Sequence, residues 1–310
     1  MTPSDVQAAL ARIAPYIIRT PVLTNAALDQ QTGARVFIKP EVLQRTGSFK
    51  LRGATNALRR LAETQLPAGV VTYSSGNHGQ AIACAAAALG IPATIVMPSD
   101  APAIKREATA AWGAEIITYE RANGGREAIA QALAGRTGAA LIPPYEHADV
   151  IAGQGTLALE LAEDVAAAGT SLDALLVCTG GGGLVAGCAL ALSAVSPRTK
   201  VYCVEPAGWD DTARSLRSGR RESNDMQGSH FCDALLTPTP GALTFSLNSK
   251  LLAGGLVVSD DDVRAAMAFA ARHLKLIVEP GGAVALAALL AGRFEARGLT
   301  IGVVLSGGNV

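Results

Sequence analysis

Short apolar runs alternate with segments whose apolar residues recur at helical spacing along most of the chain. Runs such as 70–73, 115–119 and 174–178 have the length of buried strands, and the segments between them carry apolar residues three and four positions apart. Regular alternation of strands and helices is typical of βαβ units. The pattern therefore predicts an α/β fold with mostly parallel sheets.

The pattern also predicts how the chain is divided. A helix is predicted from about Gly155 to Ala168, and residues 207–255, which are polar and glycine-rich, predict irregular chain with short helices. We interpret the chain as a large domain formed by residues 1–62 and 148–310, with a small domain of residues 63–147 inserted in it.

The balance of apolar and charged residues indicates a large buried core. The chain has 310 residues and a formal net charge of zero; 49% of the residues are hydrophobic and 17% are charged. We expect no nucleic-acid or membrane partner, because there is no charge block and the longest uncharged run, 81–99, is broken at Gly90-Ile91-Pro92. The start does not resemble a signal peptide, and five cysteines without paired spacing are typical of a reducing compartment. These features predict a cytoplasmic protein.

Candidate chemistry centres on Lys50, within Ser48-Phe49-Lys50-Leu51-Arg52-Gly53-Ala54. An ordinary lysine has a pKa of about 10.4 and is a poor nucleophile at neutral pH. Ser48 is predicted to cap a helix, which places Lys50 in the first turn, where the helix dipole favours the neutral amine. A neutral amine can form a Schiff base with an aldehyde cofactor. An isolated lysine is more often a solvated residue on a helix surface. The other motifs must therefore decide whether Lys50 is solvated or binds a cofactor.

Two further segments lie between a predicted strand and a predicted helix, where backbone N–H groups can bind an anion. The first is Gly180–Gly183, and four glycines exceed what a tight turn needs. A dinucleotide site with Glu205 as the ribose-binding acid is the alternative, although the glycine spacing fits the G-x-G-x-x-G fingerprint poorly. The second segment, 75–78, suits a substrate carboxylate or is an ordinary capped helix start.

Together with Ser306-Gly307-Gly308-Asn309 after the last predicted strand, these motifs resemble those of the fold-type II pyridoxal phosphate (PLP) enzymes, the tryptophan synthase β family. The lysine motif is similar to that of the threonine/serine dehydratase and serine racemase branch. The resemblance runs from about Ile18 to Val310. It implies two open, twisted α/β domains with mostly parallel sheets, pyridoxal 5'-phosphate as the cofactor, an amino acid as the substrate, and a homodimer.

The resemblance also implies how the cofactor is held. Lys50 forms the covalent link to PLP and acts as the general base. Asn77 hydrogen-bonds the oxygen of the ring hydroxyl, and Ser306 shares a hydrogen bond with the ring nitrogen, which a serine hydroxyl cannot keep protonated as a carboxylate would. The backbone amides of the glycine loop hold the phosphate, and two side chains lie beside the ring and at its edge. These remaining cofactor-binding residues are Gly180, Gly181, Gly182, Gly183 and Leu184 for the phosphate, Phe49 for the ring and Glu279 for the edge.

A substrate site is implied on the same side of the fold. Ser75 is expected to be a second catalytic residue, on the face of the cofactor opposite Lys50. Arg126 matches an arginine that approaches the substrate carboxylate in serine racemase, although a surface salt bridge would equally suit its place at a helix start. Tyr73 and Tyr145 depart from the histidine and asparagine of serine racemase and leave the side-chain specificity open. The full predicted set is Tyr73, Ser74, Ser75, Gly76, Asn77, His78, Arg126 and Tyr145.

A third cluster predicts a metal site. Glu205, the carbonyl of Trp209 and Asp211 follow a predicted strand at a spacing that suits a hard cation with oxygen ligands, Mg²⁺ or Ca²⁺. Serine racemase and several dehydratases carry a divalent ion at the matching positions. Without that resemblance, a solvated acidic pair would be the better interpretation.

We therefore predict a PLP-dependent ammonia-lyase that eliminates water from a β-hydroxy-α-amino acid, such as L-threonine or L-serine, to give a 2-oxo acid and ammonia. Serine-type racemisation is the nearer alternative, because the same residues serve both reactions. A preference for a bulkier or acidic substrate, such as phenylserine or 3-hydroxyaspartate, also stays open. A nucleotide-binding oxidoreductase or a non-catalytic PLP carrier is the more distant alternative. The oxidoreductase is disfavoured by the presence of Lys50, Asn77 and Ser306.

Overall fold

The computed structural model describes residues 1–64, 68–74, 76–101, 103–120 and 125–310. Within these residues the strands form one sheet of five and one of four, and every strand pair in them is parallel. The strands are β1 Arg35–Pro40, β2 Val70–Tyr73, β3 Ala93–Pro98, β4 Glu115–Tyr119, β5 Ala140–Leu141, β6 Ala174–Cys178, β7 Lys200–Pro206, β8 Gly254–Val258 and β9 Thr300–Leu305.

Helices separate almost all of these strands, as the sequence pattern predicts. They are α1 Pro3–Ile13, α2 Ala26–Thr32, α3 Lys50–Thr64, α4 Asn77–Ala87, α5 Ala103–Ala110, α6 Arg126–Thr137, α7 Ala148–Ala167, α8 Gly183–Val195, α9 Asp211–Ser218, α10 Ala242–Leu251, α11 Asp260–Phe269 and α12 Pro280–Leu290. Helix α11 continues as a π-helical turn, Ala270–Leu274. The predicted α/β class with parallel sheets is confirmed.

The strand order places the carboxyl ends of several strands side by side. The large sheet has the order β1-β9-β6-β7-β8, and the small sheet, whose strands all lie between residues 70 and 141, has the order β4-β3-β2-β5. In open α/β sheets, ligands bind beyond the carboxyl ends of the strands. The loops that follow β2, β6 and β9 are therefore the expected site. The exact domain boundaries stay a prediction.

Both faces of the large sheet are covered by helices, because its strands are apolar on both sides. Leu175 and Val177 of β6 pack with α7 and α8, whereas Leu176 and Cys178 pack with α12. Continuous apolar runs of this kind are typical of parallel strands buried on two faces. The five cysteines are all free and buried, so none forms a disulfide.

Three local predictions were wrong. Helix α7 begins at Ala148 rather than near Gly155. Gly153 and Gly155 do not break this helix but allow other backbone to come close: a Cβ on Gly153 would lie 2.6 Å from the carbonyl oxygen of Arg52. Strand β8, which pairs with β7, was not predicted, and its first two residues overlap the end of the segment 207–255, which otherwise contains short helices as predicted. Ser48 is not a helix cap but forms a bridge with Gly307, and helix α3 starts two residues later. In each case a contact with a distant segment decided the local structure.

None of the helices in the described part of the chain combines the length and the apolar character needed to cross a lipid bilayer.

Candidate active site

A cleft with about 950 Å³ of empty space, part of it open to solvent, lies at the carboxyl ends of both sheets. It brings together nearly all of the residues predicted to bind cofactor or substrate, although Ser75 lies outside the described residues. These cleft residues are Phe49, Lys50, Tyr73, Ser74, Gly76, Asn77, His78, Arg126, Tyr145, Gly180, Gly181, Gly182, Gly183, Leu184, Glu279 and Ser306. Their individual roles stay predictions.

Lys50 is the first residue of α3, and its position depends on the end of β9. The backbone N–H of Phe49 donates to the carbonyl of Ser306 at 3.0 Å, and the N–H of Gly308 donates to Gly47 at 2.9 Å. Lys50 Nζ donates to the carbonyl oxygen of Pro144 at 3.0 Å. Burial lowers the pKa of Lys50 to about 8, and the charge of Glu279 opposes this shift. A substantial fraction of the amine is therefore neutral near physiological pH, chiefly because of burial.

The four glycines form a cradle between β6 and α8. Thr244 Oγ1 donates to the carbonyl of Gly181 at 2.7 Å, and Asn248 Nδ2 donates to the carbonyl of Gly182 at 3.3 Å. These bonds hold the loop carbonyls, while the first N–H groups of α8 have no partner within the helix. A Cβ on Gly181 would overlap with the ring of Tyr145, so this position has no room for a side chain. The cradle fits a phosphate group at a helix N-terminus.

Asn77, which is half-buried, and Glu279, which is buried, form a hydrogen-bonded pair that lines the cleft. Asn77 Nδ2 donates to Glu279 Oε1 at 2.5 Å, and Asn77 Oδ1 accepts from Asn309 Nδ2 at 2.8 Å. Burial raises the pKa of Glu279 to about 7. Its second oxygen, Oε2, is buried without a hydrogen-bond partner among the described residues. A buried polar atom without a partner at the wall of an open cleft fits a bound polar ligand such as the edge of a cofactor ring.

The start of α4 carries the residues predicted to bind the substrate carboxylate. The N–H of Gly76 donates to Ser74 Oγ at 3.1 Å. Burial, followed by the charge of Lys50, lowers the pKa of His78 to about 3, so its ring is neutral. Nε2 of His78 lies 3.1 Å from the carbonyl oxygen of Ile142, which can only accept, so Nε2 carries the proton. Nδ1 is then an acceptor, and it has no partner among the described residues.

Tyr73, Tyr145 and Arg126 form one wall of the cleft. The guanidinium of Arg126 lies 5.5 Å from the centre of the Tyr73 ring. The ring of Tyr145 lies against Gly181, and the Cβ and backbone of Tyr145 lie next to Gly183. Burial raises the pKa of both tyrosines, so their hydroxyl groups stay protonated. The wall is therefore aromatic and cationic, with two hydroxyl donors.

Sequence reasoning missed several residues that line or support the site. Lys105 Nζ forms an ion pair with Asp233 Oδ2 at 2.6 Å, and both residues line the cleft. Thr244, Asn248 and Asn309 order the glycine loop and Asn77 from outside. Asn309 lies in a motif that the sequence did single out. The others lie in an ordinary helix or in the segment predicted to be irregular, where no local pattern marks them.

The predicted metal cluster is buried and contains two carboxyl groups. Glu205 accepts hydrogen bonds from the N–H groups of Thr212, at 3.0 Å, and Ala213, at 2.8 Å. Asp211 Oδ1 accepts from Asn224 Nδ2 at 2.7 Å, and Asp211 Oδ2 has no partner among the described residues. Burial, followed by the charge of Asp211, raises the pKa of Glu205, and burial raises that of Asp211 to about 6.

In the described part of the chain no three His, Cys, Asp or Glu side chains cluster as metal ligands. The predicted site therefore offers two carboxylates and would need the Trp209 carbonyl and waters to complete its coordination. Trp209 itself is buried, and its indole N–H donates to the carbonyl of Ser229 at 2.8 Å. Two neighbouring buried carboxylates, one with an oxygen that lacks a partner, fit a cation. The metal stays a prediction.

Comparison with known proteins identifies the family. Residues 13–307 match the family model described as pyridoxal-phosphate dependent enzyme. The chain belongs to this family, and its predicted fold-type II architecture is confirmed.

Similar proteins cover the chain from end to end. An L-threo-3-hydroxyaspartate ammonia-lyase of Pseudomonas sp is 47% identical over 306 residues, which are 99% of this chain and 94% of the relative. A serine racemase of Schizosaccharomyces pombe is 44% identical over 100% of this chain and 94% of the relative. The crystal structure of a T.th. threonine deaminase has a TM-score of 0.94 at 41% identity, covering 100% of this chain and 99% of that one. These similarities agree with the predicted dehydratase and racemase branch.

Proposed function

We propose that the protein is a PLP-dependent ammonia-lyase that eliminates water from β-hydroxy-α-amino acids and releases a 2-oxo acid and ammonia. The observation that carries the proposal is Lys50, a partly buried lysine of lowered pKa that shares one cleft with a glycine cradle for a phosphate. The similarity to an L-threo-3-hydroxyaspartate ammonia-lyase and a threonine deaminase supports the reaction class.

The residues of the cleft divide the work between holding the cofactor and moving protons. Bound PLP supplies an electron sink that makes the α-hydrogen of an amino acid acidic. The amides of the glycine loop hold its phosphate, and Asn77 and Ser306 bind the ring. Lys50, whose neutral amine is accessible near physiological pH, removes the α-proton as general base. Phe49, whose ring centre is 5.1 Å from Lys50 Nζ, excludes water from the amine.

The lack of a carboxylate at Ser306 favours elimination. Ser306 is buried beside the cleft, and a serine hydroxyl does not hold a proton on the ring nitrogen as an acid would. Ser306 would therefore make bound PLP a weaker electron sink. This suits a reaction in which the β-hydroxyl leaves with the electron pair of its bond to the β-carbon. The wall of Tyr73, Tyr145 and Arg126 faces the substrate side chain, and Arg126 offers an acidic group a positive partner beside the carboxylate of Glu127, whose charge acts on both tyrosines.

The proposal includes three features of the whole protein. A divalent cation, Mg²⁺ or Ca²⁺, is held by Glu205, Asp211 and the Trp209 carbonyl, and the Asp211 oxygen that lacks a partner within the described ranges supports it. Its role is to stabilise the loop and not to act on the reacting bond. The protein acts in the cytoplasm, which five free, buried cysteines support. It forms a homodimer, as the family resemblance implies, and its mass in solution tests this.

Racemisation is the rival activity, because a serine racemase is 44% identical over the whole chain. Ser75, the expected second-face base, lies outside the described residues. Assays with L- and D-serine that quantify both the other enantiomer and pyruvate separate the two reactions. Enantiomer formation that exceeds 2-oxo acid formation would favour the racemase.

A substrate panel tests the proposal. Purified holoenzyme is given L-threonine, L-serine, phenylserine and the 3-hydroxyaspartate isomers, and the 2-oxo acid and ammonia are measured. We expect equal amounts of both products from at least one substrate. The Lys50→Ala variant should lose this activity and the visible absorbance of the linked cofactor, while its far-UV circular dichroism stays unchanged. Turnover at the wild-type rate by this variant would exclude Lys50 as the base.

A further inference from the structure

The side chain of Lys105 lies next to the start of α4, where the substrate carboxylate is expected. It belongs to α5, and its side chain is only 10% exposed. A Cβ on Gly76 would lie 2.9 Å from Cδ and 3.6 Å from Nζ of Lys105. The amine is therefore next to Gly76, the residue that precedes the first turn of α4, and the free backbone N–H groups of a helix start favour anions.

The other groups of the cleft leave this role open. His78 is neutral, and its Nδ1, which has no partner among the described residues, is an acceptor, so it does not attract a carboxylate. Arg126 lies over the Tyr73 ring, and Lys50 is the lysine expected to carry the cofactor. Lys105 is thus a cation whose side chain directly adjoins Gly76 at the start of α4.

Lys105 already has a carboxylate partner, and that partner can be released to water. Asp233 pairs with it at 2.6 Å and comes from the segment between α9 and α10, which is 128 residues away in sequence. The Asp233 side chain is 39% exposed, whereas that of Lys105 is almost buried. A buried cation needs a counter-charge, but a partly exposed carboxylate can be solvated when its partner leaves. Replacing one carboxylate by another keeps the charge balance of the cleft.

We propose that Lys105 binds the α-carboxylate of the substrate together with the backbone N–H groups at the start of α4, and that Asp233 holds Lys105 while no substrate is bound. The inference rests on the proposed function only in requiring an α-amino acid as the ligand. It makes Lys105 a substrate-binding residue and Asp233 a competitor of the substrate.

The test measures binding without turnover. L-Alanine lacks a β-leaving group, and L-alaninamide also lacks the carboxylate, so the pair isolates the carboxylate. Each is titrated into wild-type, Lys105→Met and Asp233→Asn holoenzyme, and the change in the visible absorbance of the cofactor gives the Kd. Because no elimination is needed, failure of the proposed reaction with every hydroxy amino acid would leave this titration informative.

We expect Lys105→Met to raise the Kd of L-alanine at least tenfold and that of L-alaninamide less than twofold. Asp233→Asn should tighten L-alanine at least twofold, because it removes the competitor. Lys250→Met, in α10, should change neither ligand. The proposal is overturned if Lys105→Met weakens both ligands equally. It is also overturned if Asp233→Asn weakens L-alanine as Lys105→Met does, since the ion pair would then only hold the two sides of the cleft together. If Lys105→Met does not fold, the sign of the Asp233→Asn effect decides.

Discussion

Glu279 shows at the level of one residue how burial in the cleft changes the pKa of a charged group. It is almost fully buried, next to Asn77, and burial raises its pKa from 4.5 to about 7. The native protein therefore binds more protons at this site than the unfolded chain between these two pH values. Under proton linkage, stability then falls as the pH rises through that window.

We expect Glu279→Gln to remove part of this fall in the cofactor-free protein. Glutamine keeps an oxygen that can accept from Asn77 but cannot ionise. At pH 7 the variant should be more stable than wild type by on the order of 1–3 kcal/mol, and below pH 4.5 the difference should vanish. Melting temperatures from pH 4 to 8 measure this. Glu163→Gln, at an exposed site of α7, is the control. Parallel pH profiles for wild type and Glu279→Gln would contradict the prediction.

The junction of β6 and α8 shows how an element makes a site from backbone alone. Gly182 has a φ of 87°, a region that favours glycine, and Gly181 has the Tyr145 ring where a side chain would lie. The loop thus exposes amides because it has no side chains of its own.

We expect Gly181→Ala to weaken PLP binding about tenfold or more, because the displaced loop loses at least one hydrogen bond to a charged phosphate. The added methyl group overlaps with the Tyr145 ring. Fluorescence titration of cofactor-free protein with PLP gives the Kd. Gly135→Ala, in α6 and with no atom within 4 Å of the new Cβ, serves as the matched control. The double variant with Tyr145→Ala should recover part of the loss, and an unchanged Kd for Gly181→Ala would be evidence against the cradle.

The β7–α9 connection gives a second element-level prediction. Glu205 and Asp211 repel each other in a buried site, which a cation would relieve. A ligand at 100 times its Kd stabilises the native state by about 2.7 kcal/mol. We expect Mg²⁺ or Ca²⁺ to raise the melting temperature of EDTA-treated wild type, and Asp211→Asn to abolish this response while the cofactor absorbance remains. If neither ion changed the melting temperature of the wild type, Glu205 and Asp211 would be only a hydrogen-bonded structural feature.

At the scale of the whole molecule, a buried ionic network ties α3 to the end of β1 and to α7. Arg52 of α3 pairs with Glu41 and Glu160, and Lys39 of β1 pairs with Glu160, all with side chains at most 2% exposed. Helix α3 also packs its apolar face, through Leu51 and neighbouring residues, against α4, which in turn lies on the small sheet. The helix that begins with Lys50 is thus held by both parts of the protein.

We expect Glu160→Gln to destabilise the protein by about 3–5 kcal/mol, because it leaves a buried positive charge without its counter-charge. Glu163→Gln, three residues later on α7, removes only the exposed pair with Arg19 and should cost less than about 1 kcal/mol. Urea unfolding at equilibrium compares the two. Equal small losses would mean that the network contributes little to stability.

The sequence predicted the α/β class, most strand positions, the family, and the residues that meet in the cleft. It could do so because strands such as 115–119 and 174–178 and the motifs at Lys50 and Gly180–Gly183 are local patterns. It did not predict where α7 begins, because Gly153 looks like a helix breaker until the backbone of α3 is seen beside it.

Only the tertiary structure decided the charge states and partners within the cleft. The lowered pKa of Lys50 arises chiefly from burial rather than from its place in a helix, and the raised pKa of Glu279 has the same cause. The pairing of Lys105 with Asp233 spans 128 residues and has no sequence signature. A local pattern records the periodicity of neighbouring residues, whereas desolvation and ion pairing depend on which distant segments exclude water around a group.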